Sequence, residues 1–230
     1  MKTIGLIGGM SWESSAEYYR LINEEVRQQL GSTHSAKSLM WSMDFAEIEA
    51  LQHEGNWTEL TEKMCQAAQN LERGGADFLV ICTNTMHRMA EEIQARVRIP
   101  LLHIADATGK EIASKNFNKV GLLGTQFTMK QQFYKSRLTK KFGLEVLIPD
   151  DGDCQIIHRI IYQELVVGTI KEESKQLYRD IIRKLVEQGA EAIILGCTEI
   201  MLLISSTDSD VPIFDTTEIH AKAAVNMALA

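Results

Sequence analysis

Cys197 stands in Gly196-Cys197-Thr198-Glu199, directly after the apolar run Ala192-Ile193-Ile194-Leu195. A cysteine that ends an apolar strand just before a helix start meets backbone N–H groups and the positive end of that helix. Both favour a thiolate, against a reference thiol pKa of ~8.5. Both could also hold a ligand carboxylate. A lone cysteine serves equally well as a small buried hydrophobe, and position alone leaves the two readings open. A second stretch of the same kind, Cys82-Thr83-Asn84-Thr85-Met86-His87, follows Phe78-Leu79-Val80-Ile81. Asn84, Thr85 and Thr198 are short hydrogen-bonding residues that suit helix capping and a small polar ligand alike. Strand side chains alternate, so if Thr83 faces a site, Cys82 faces the core. Cys65, inside a helical pattern, and Cys154 read as structural. His87, His103 and His220 lie near strand ends without metal-ligand spacing and read as core or solvated histidines.

Other chemistry is excluded by spacing. Gly5, Gly8 and Gly9 resemble a phosphate loop, but GxGxxG needs a third glycine at the helix start and an acid ~20 residues on. The next acid at a strand end is Asp44, and no GxxxxGK[ST] motif is present. The four cysteines show no CxxC spacing, which argues against a zinc site or a disulfide framework. No metal is expected. The 24 basic residues fall short of the 31 acidic ones, so a nucleic-acid partner is not expected. No apolar run reaches the ~18 residues of a membrane span, so no membrane partner is expected. The start, Met1-Lys2-Thr3-Ile4-Gly5-Leu6, enters a strand pattern at once and lacks the pattern of a signal peptide. The expected location is cytoplasmic, with reduced thiols.

The elements that position these residues follow from periodicity. Of 230 residues, 45% are apolar and 24% charged, as in a soluble globular chain of one large or two small domains. Strands are expected at 3–7, 38–43, 78–81, 101–104, 120–123, 145–148, 192–195 and 211–214. Helices are expected at 14–30, 57–73, 86–96, 128–142 and 171–188. Alternation of short apolar strands with amphipathic helices argues for α/β with mostly parallel sheets.

The chain also repeats itself. Residues 71–85 (LERGGADFLVICTNT) align without a gap on residues 185–199 (LVEQGAEAIILGCTE), an offset of 114 that pairs Thr83 with Cys197. Ile4-Gly5-Leu6-Ile7-Gly8-Gly9 aligns on Val120-Gly121-Leu122-Leu123-Gly124-Thr125. A duplicated unit predicts two similar Rossmann-like lobes related by a pseudo-twofold axis. Open parallel sheets bind ligands at the carboxyl ends of their strands, so the expected site is a cleft between the lobes. The expected lobes are residues 1–98 with 212–230, and 99–211.

Ile4-Gly5-Leu6-Ile7-Gly8-Gly9-Met10, Cys82-Thr83-Asn84-Thr85-Met86-His87 and Gly196-Cys197-Thr198-Glu199 together resemble the three signatures of the aspartate/glutamate racemase family. Those enzymes are amino acid racemases independent of pyridoxal phosphate. The resemblance spans the whole chain in order. It implies two α/β lobes that each bring one catalytic group to a cleft, no cofactor, a small amino acid substrate and a homodimer. Inverting a Cα needs a base on one face and an acid on the other, with the carboxylate held by hydrogen bonds. The usual first motif is Cys-Asn-Thr, and here Thr83 takes the cysteine's place. The resemblance therefore implies Cys197 and Thr83 as catalytic residues. Cys197 would deprotonate the L-amino acid and Thr83, directly or through water, would serve the other face. A hydroxyl is a far weaker acid and base than a thiol, so the expected enzyme is biased from L to D.

Substrate contacts carried over by the resemblance are Met10, Gln52, Thr83, Asn84, Thr85, Glu164, Thr198 and Glu199. Dicarboxylate-specific members usually place arginine or lysine around the segments of Gln52 and Glu164. Here those segments read Leu51-Gln52-His53 and Gln163-Glu164-Leu165-Val166, which opens the expected substrates beyond aspartate and glutamate. Met10-Ser11-Trp12-Glu13-Ser14-Ser15, with Tyr18, Tyr19 and Asn23, resembles the subgroup with this threonine and also reads as a capped helix start. Alternatives are a broad-specificity racemase, a single-cysteine decarboxylase of the same superfamily, and a non-catalytic two-lobed binding protein for small carboxylates.

Overall fold

The computed structural model describes residues 1–31 and 33–230. In chain order the elements are β1 (Ile4–Gly8), α1 (Trp12–Leu30), β2 (Ser38–Ser42), α2 (Phe45–Glu54), α3 (Trp57–Arg73), β3 (Phe78–Ile81), a 3-10 turn (Thr85–Met89) and α4 (Ala90–Arg96). They continue with β4 (Leu101–Leu102), α5 (Ile104–Ser114), β5 (Lys119–Gly124), α6 (Gln126–Lys130), α7 (Gln132–Phe142), β6 (Glu145–Leu147) and α8 (Asp151–Gln163). A 3-10 turn (Leu165–Val167), α9 (Glu172–Glu187), β7 (Ala192–Gly196), two 3-10 turns (Ile200–Leu202, Ser206–Asp208), β8 (Ile213–Asp215) and α10 (Thr216–Leu229) complete the chain.

The strands form two four-stranded parallel sheets with the same order, β2-β1-β3-β4 and β6-β5-β7-β8. The chain divides into two compact units, Met1–His103 with His220–Ala230, and Ile104–Ile219. These limits differ from the sequence expectation because β4 pairs with β3 in the first sheet and β8 pairs with β7 in the second.

In the first unit strand alternation sends Ile4, Leu6, Phe78, Val80 and Cys82 to a core shared with Tyr18, Ile22 and Val26 of α1 and Ala221, Ala224 and Val225 of α10. Ile7, Leu79 and Ile81 point to the other face, against Leu60, Met64 and Leu71 of α3. In the second unit Val120, Leu122, Ala192 and Ile194 pack with Tyr134 and Leu138 of α7. Leu123, Ile193, Leu195 and Cys197 pack with Ile157 and Ile160 of α8 and Tyr178, Ile181 and Leu185 of α9. All eight expected strands are present, with ends shifted by up to two residues. The expected helix at 128–142 is two helices, α6 and α7, because Gln131 is extended (φ −79°, ψ 153°). The sequence reading overlooked α2, α5, α8 and α10.

The repeat is exact in its hydrogen bonds. Gly75 and Gly189 both turn left-handed after a helix (φ 94° and 95°). The next amides follow suit, Ala76 donating to the Leu71 carbonyl and Ala190 to the Leu185 carbonyl, each at 3.0 Å. The acid after each, Asp77 or Glu191, accepts from the amide of Thr3 (2.6 Å) or Lys119 (2.9 Å), which fastens β3 to β1 and β7 to β5. No helix among the described residues is long and apolar enough to cross a membrane.

Candidate active site

In the first unit the turn that leaves β3 carries Thr83, Asn84 and Thr85, all buried. The His87 ring stands over the turn, its Nδ1 2.8 Å from the Thr83 carbonyl. Gln52, near the end of α2, is buried and its amide lies 3.3 Å from the Met86 sulfur. Met10 joins the same apolar cluster as Met86, Ile48 and Leu51. Thus Met10 and Gln52 gather at the Thr83–Met86 turn. The glycines before Met10 make this possible: Gly9 has φ +84°, its amide donates to the Ser15 hydroxyl at 2.7 Å, and a side chain there would collide with the Met43 backbone.

Cys82 is fully buried in the α1/α10 core, and burial pushes its thiol pKa far up. Such a thiol stays protonated. Cys65 and Cys154 are also buried thiols, raised by burial, with Cys154 donating to the Pro149 carbonyl at 3.3 Å. The candidate subgroup residues at the helix start have local work. Ser11 caps α1 through the Ser14 amide, Tyr18 donates its hydroxyl to His220, and the Asn23 side chain accepts from the Ala36 amide.

In the second unit the turn that leaves β7 carries Cys197, Thr198 and Glu199. Glu199 Oε2 accepts from the Cys197 thiol at 3.0 Å and from the Thr198 hydroxyl at 2.9 Å. The Cys197 pKa is held well above that of a free thiol, first by burial, then by the Glu199 charge and the hydrogen bond to it. Backbone amides of Glu199 and Thr198 pull the other way and lose. The expectation that the turn would favour a thiolate is corrected here. The opposing carboxylate outweighs the amides, and a single 3-10 turn (Ile200–Leu202), not a helix, follows the motif. A negative neighbour disfavours a second negative charge, so the resting thiol keeps its proton.

Glu164 is buried at the end of α8. Its carboxylate accepts from the Ser174 hydroxyl at 2.6 Å and pairs with Lys171 at 3.3 Å. Tyr178, one helical turn beyond Ser174 on α9, is fully buried, and its phenol is held neutral by burial and then by the nearby Cys197, Glu199 and Glu164. Glu164, Cys197, Thr198 and Glu199 therefore cluster around one face of α9. Ser174 and Tyr178 were missed by sequence reasoning, and their spacing of four with apolar neighbours gave only a helix signal. Gly196 sits where the first unit has Cys82. A Cβ there would lie 2.7 Å from Leu122 and 2.8 Å from the Leu123 carbonyl, so only glycine lets β7 lie this close to β5. The described residues bring no three His, Cys, Asp or Glu side chains together as a metal site.

The geometry is that of two equivalent turns, one offering a hydroxyl and the other a thiol beside a carboxylate. Comparison with known proteins agrees. The chain is 26% identical over 232 residues to the broad specificity amino-acid racemase RacX of Bacillus subtilis, covering 99% of this chain and 98% of that one. A crystal structure from Yersinia pestis, provisionally assigned as an Asp/Glu racemase, is 53% identical and superposes with a TM-score of 0.93 over the whole of both chains. An aspartate racemase homologue from Pyrococcus horikoshii is 35% identical with a TM-score of 0.86, again over the whole of both chains. The profile of the Asp/Glu/Hydantoin racemase family matches residues 7–224, and the chain belongs to that family.

Proposed function

We propose that this chain is a cofactor-independent amino acid racemase that inverts Cα by proton transfer on two faces. Cys197 serves the L-enantiomer and Thr83 the opposite face. The observation that supports this reading most is the Cys197–Glu199 pair, with Thr83 in the register of Cys197 on the other sheet. In the forward direction Cys197 passes its proton to Glu199, and the thiolate takes the Cα proton. The electron pair is delocalised into the α-carboxylate, which backbone amides of the turns hold. Thr83, directly or through water, then supplies a proton to the other face, and solvent takes the proton left on Glu199 and returns one to Thr83, which restores the starting enzyme.

Enantiomers have equal free energy, so the equilibrium constant of racemisation is one and kcat/KM is the same in both directions. The L-to-D bias therefore lies in kcat and KM separately, and in proton exchange without inversion. The thiol exchanges the L-face proton often, and the hydroxyl completes few of these events.

Small polar amino acids of broad range, aspartate and glutamate among them, are the proposed substrates. Gln52 and Glu164 replace the cations that hold a second carboxylate, and Lys171, beside Glu164, is already paired to it. Similarity to a racemase named for broad specificity supports the same reading. The proposed enzyme is a cytoplasmic homodimer, checked by light scattering and fractionation. The test of the activity is chiral chromatography of product from separate L-amino acids, without added pyridoxal phosphate. Formation of D-product by the wild type, and none by Cys197→Ala, is expected. Product from neither overturns the reading.

A further inference from the structure

The geometry points to His87 as a positioning residue for Thr83: its ring N–H fixes the Thr83 carbonyl, and with it the direction of the Thr83 hydroxyl. A carbonyl only accepts, so the Nδ1 that faces it at 2.8 Å carries a proton. The ring is itself held from behind. It lies 4.6 Å from the His103 ring and 5.7 Å from the His220 ring, centroid to centroid. His220 is anchored at both nitrogens, with Nε2 donating to the Leu102 carbonyl at 2.9 Å and Nδ1 accepting from the Tyr18 hydroxyl at 2.8 Å. All four side chains are buried. A chain of contacts thus runs from α1 and β4 to the backbone of one residue, Thr83.

The second turn is held differently. In the register of the repeat Met201 replaces His87, and Cys197 is held instead through its side chain by Glu199. The difference fits the chemistry. A thiol is competent over a range of approach, whereas a hydroxyl, poorly acidic, depends on placement for whatever rate it gives.

This inference rests on the racemase reading, and its test separates the two. L-substrate is incubated in D2O with wild type, His87→Leu and His87→Asn, and two rates are followed: deuterium entering the recovered L-form, and appearance of D-product. His87→Leu is expected to lower D-product at least about tenfold while exchange in the L-form stays within about twofold. His87→Asn, whose amide can reach the same carbonyl, is expected to recover most of the loss. A parallel fall of both rates in His87→Leu, no fall, or no recovery in His87→Asn would overturn the positioning role. A wild type without exchange on any amino acid overturns the racemase reading itself. Nitrogen NMR adds a readout independent of turnover: His87 is expected to be protonated at Nδ1, and an Nε2-only tautomer contradicts the proposal.

Discussion

The turn after β3 and the turn after β7 occupy the same place in sheets of the same strand order and differ in what they hold. Thr83 and Cys197 are equally accessible, each 9% exposed, and each lies just beyond a central strand of a sheet with the same strand order. Around Thr83 the supporting bonds reach the main chain, through His87. Around Cys197 they reach the thiol sulfur itself, through Glu199. The comparison teaches that a duplicated fold supplies equivalent places, while the chemistry at each is set by one or two side chains beside it.

The comparison breaks most easily at the thiol. Cys197→Ser replaces the proposed base by a second hydroxyl and is expected to lower L-substrate exchange by at least about a thousandfold, with an unchanged circular dichroism spectrum. Restoring symmetry is the converse. Thr83→Cys is expected to raise kcat/KM by about a hundredfold, equally in both directions, measured by chiral chromatography from either enantiomer.

The matched positions 82 and 196 test the scaffold. Gly196→Ala is expected to cost roughly 1–3 kcal/mol, because the methyl meets Leu122 and the Leu123 carbonyl. Cys82→Ala, which only loses a buried sulfur, is expected to cost about 1 kcal/mol. Denaturant unfolding measures both.

Smaller effects follow from charge. Glu199→Gln removes the carboxylate that holds the Cys197 thiol up, so thiolate absorbance is expected to appear about one pH unit lower. His220, buried, has its pKa lowered from 6.5 to about 4. It is neutral when folded, whereas the unfolded chain takes up a proton below pH 6.5. Its contribution to stability is therefore full above pH 6.5 and lost as pH falls toward 4, by at most about 1.4 kcal/mol per pH unit. Denaturation midpoints at pH 7 and pH 5 are expected to differ less in His220→Asn than in the wild type.

Much of this was legible in the chain. Central strands show as apolar runs, and residues 71–85 against 185–199 reveal the duplication because caps, acids and strands recur without a gap. Helix α10 was overlooked because its buried face is Ala221, Ala224, Val225 and Ala228, too small to stand out as a stripe. The Cys197–Glu199 contact lies only two residues apart, yet its effect on the thiol follows from burial, which a sequence does not show. The His87–His103–His220 cluster joins residues up to 133 positions apart, and only folding brings them together.

The most direct measurement is Cα deuterium uptake in D2O, followed by proton NMR separately for the L- and D-forms of aspartate and glutamate. The asymmetry of the two turns predicts deuterium in the recovered L-form well before D-product accumulates. From the D-form it predicts slow reaction, with little deuterium in recovered D-substrate. Equal exchange within both recovered enantiomers would contradict it, and would make Thr83 as effective a proton-transfer group as Cys197.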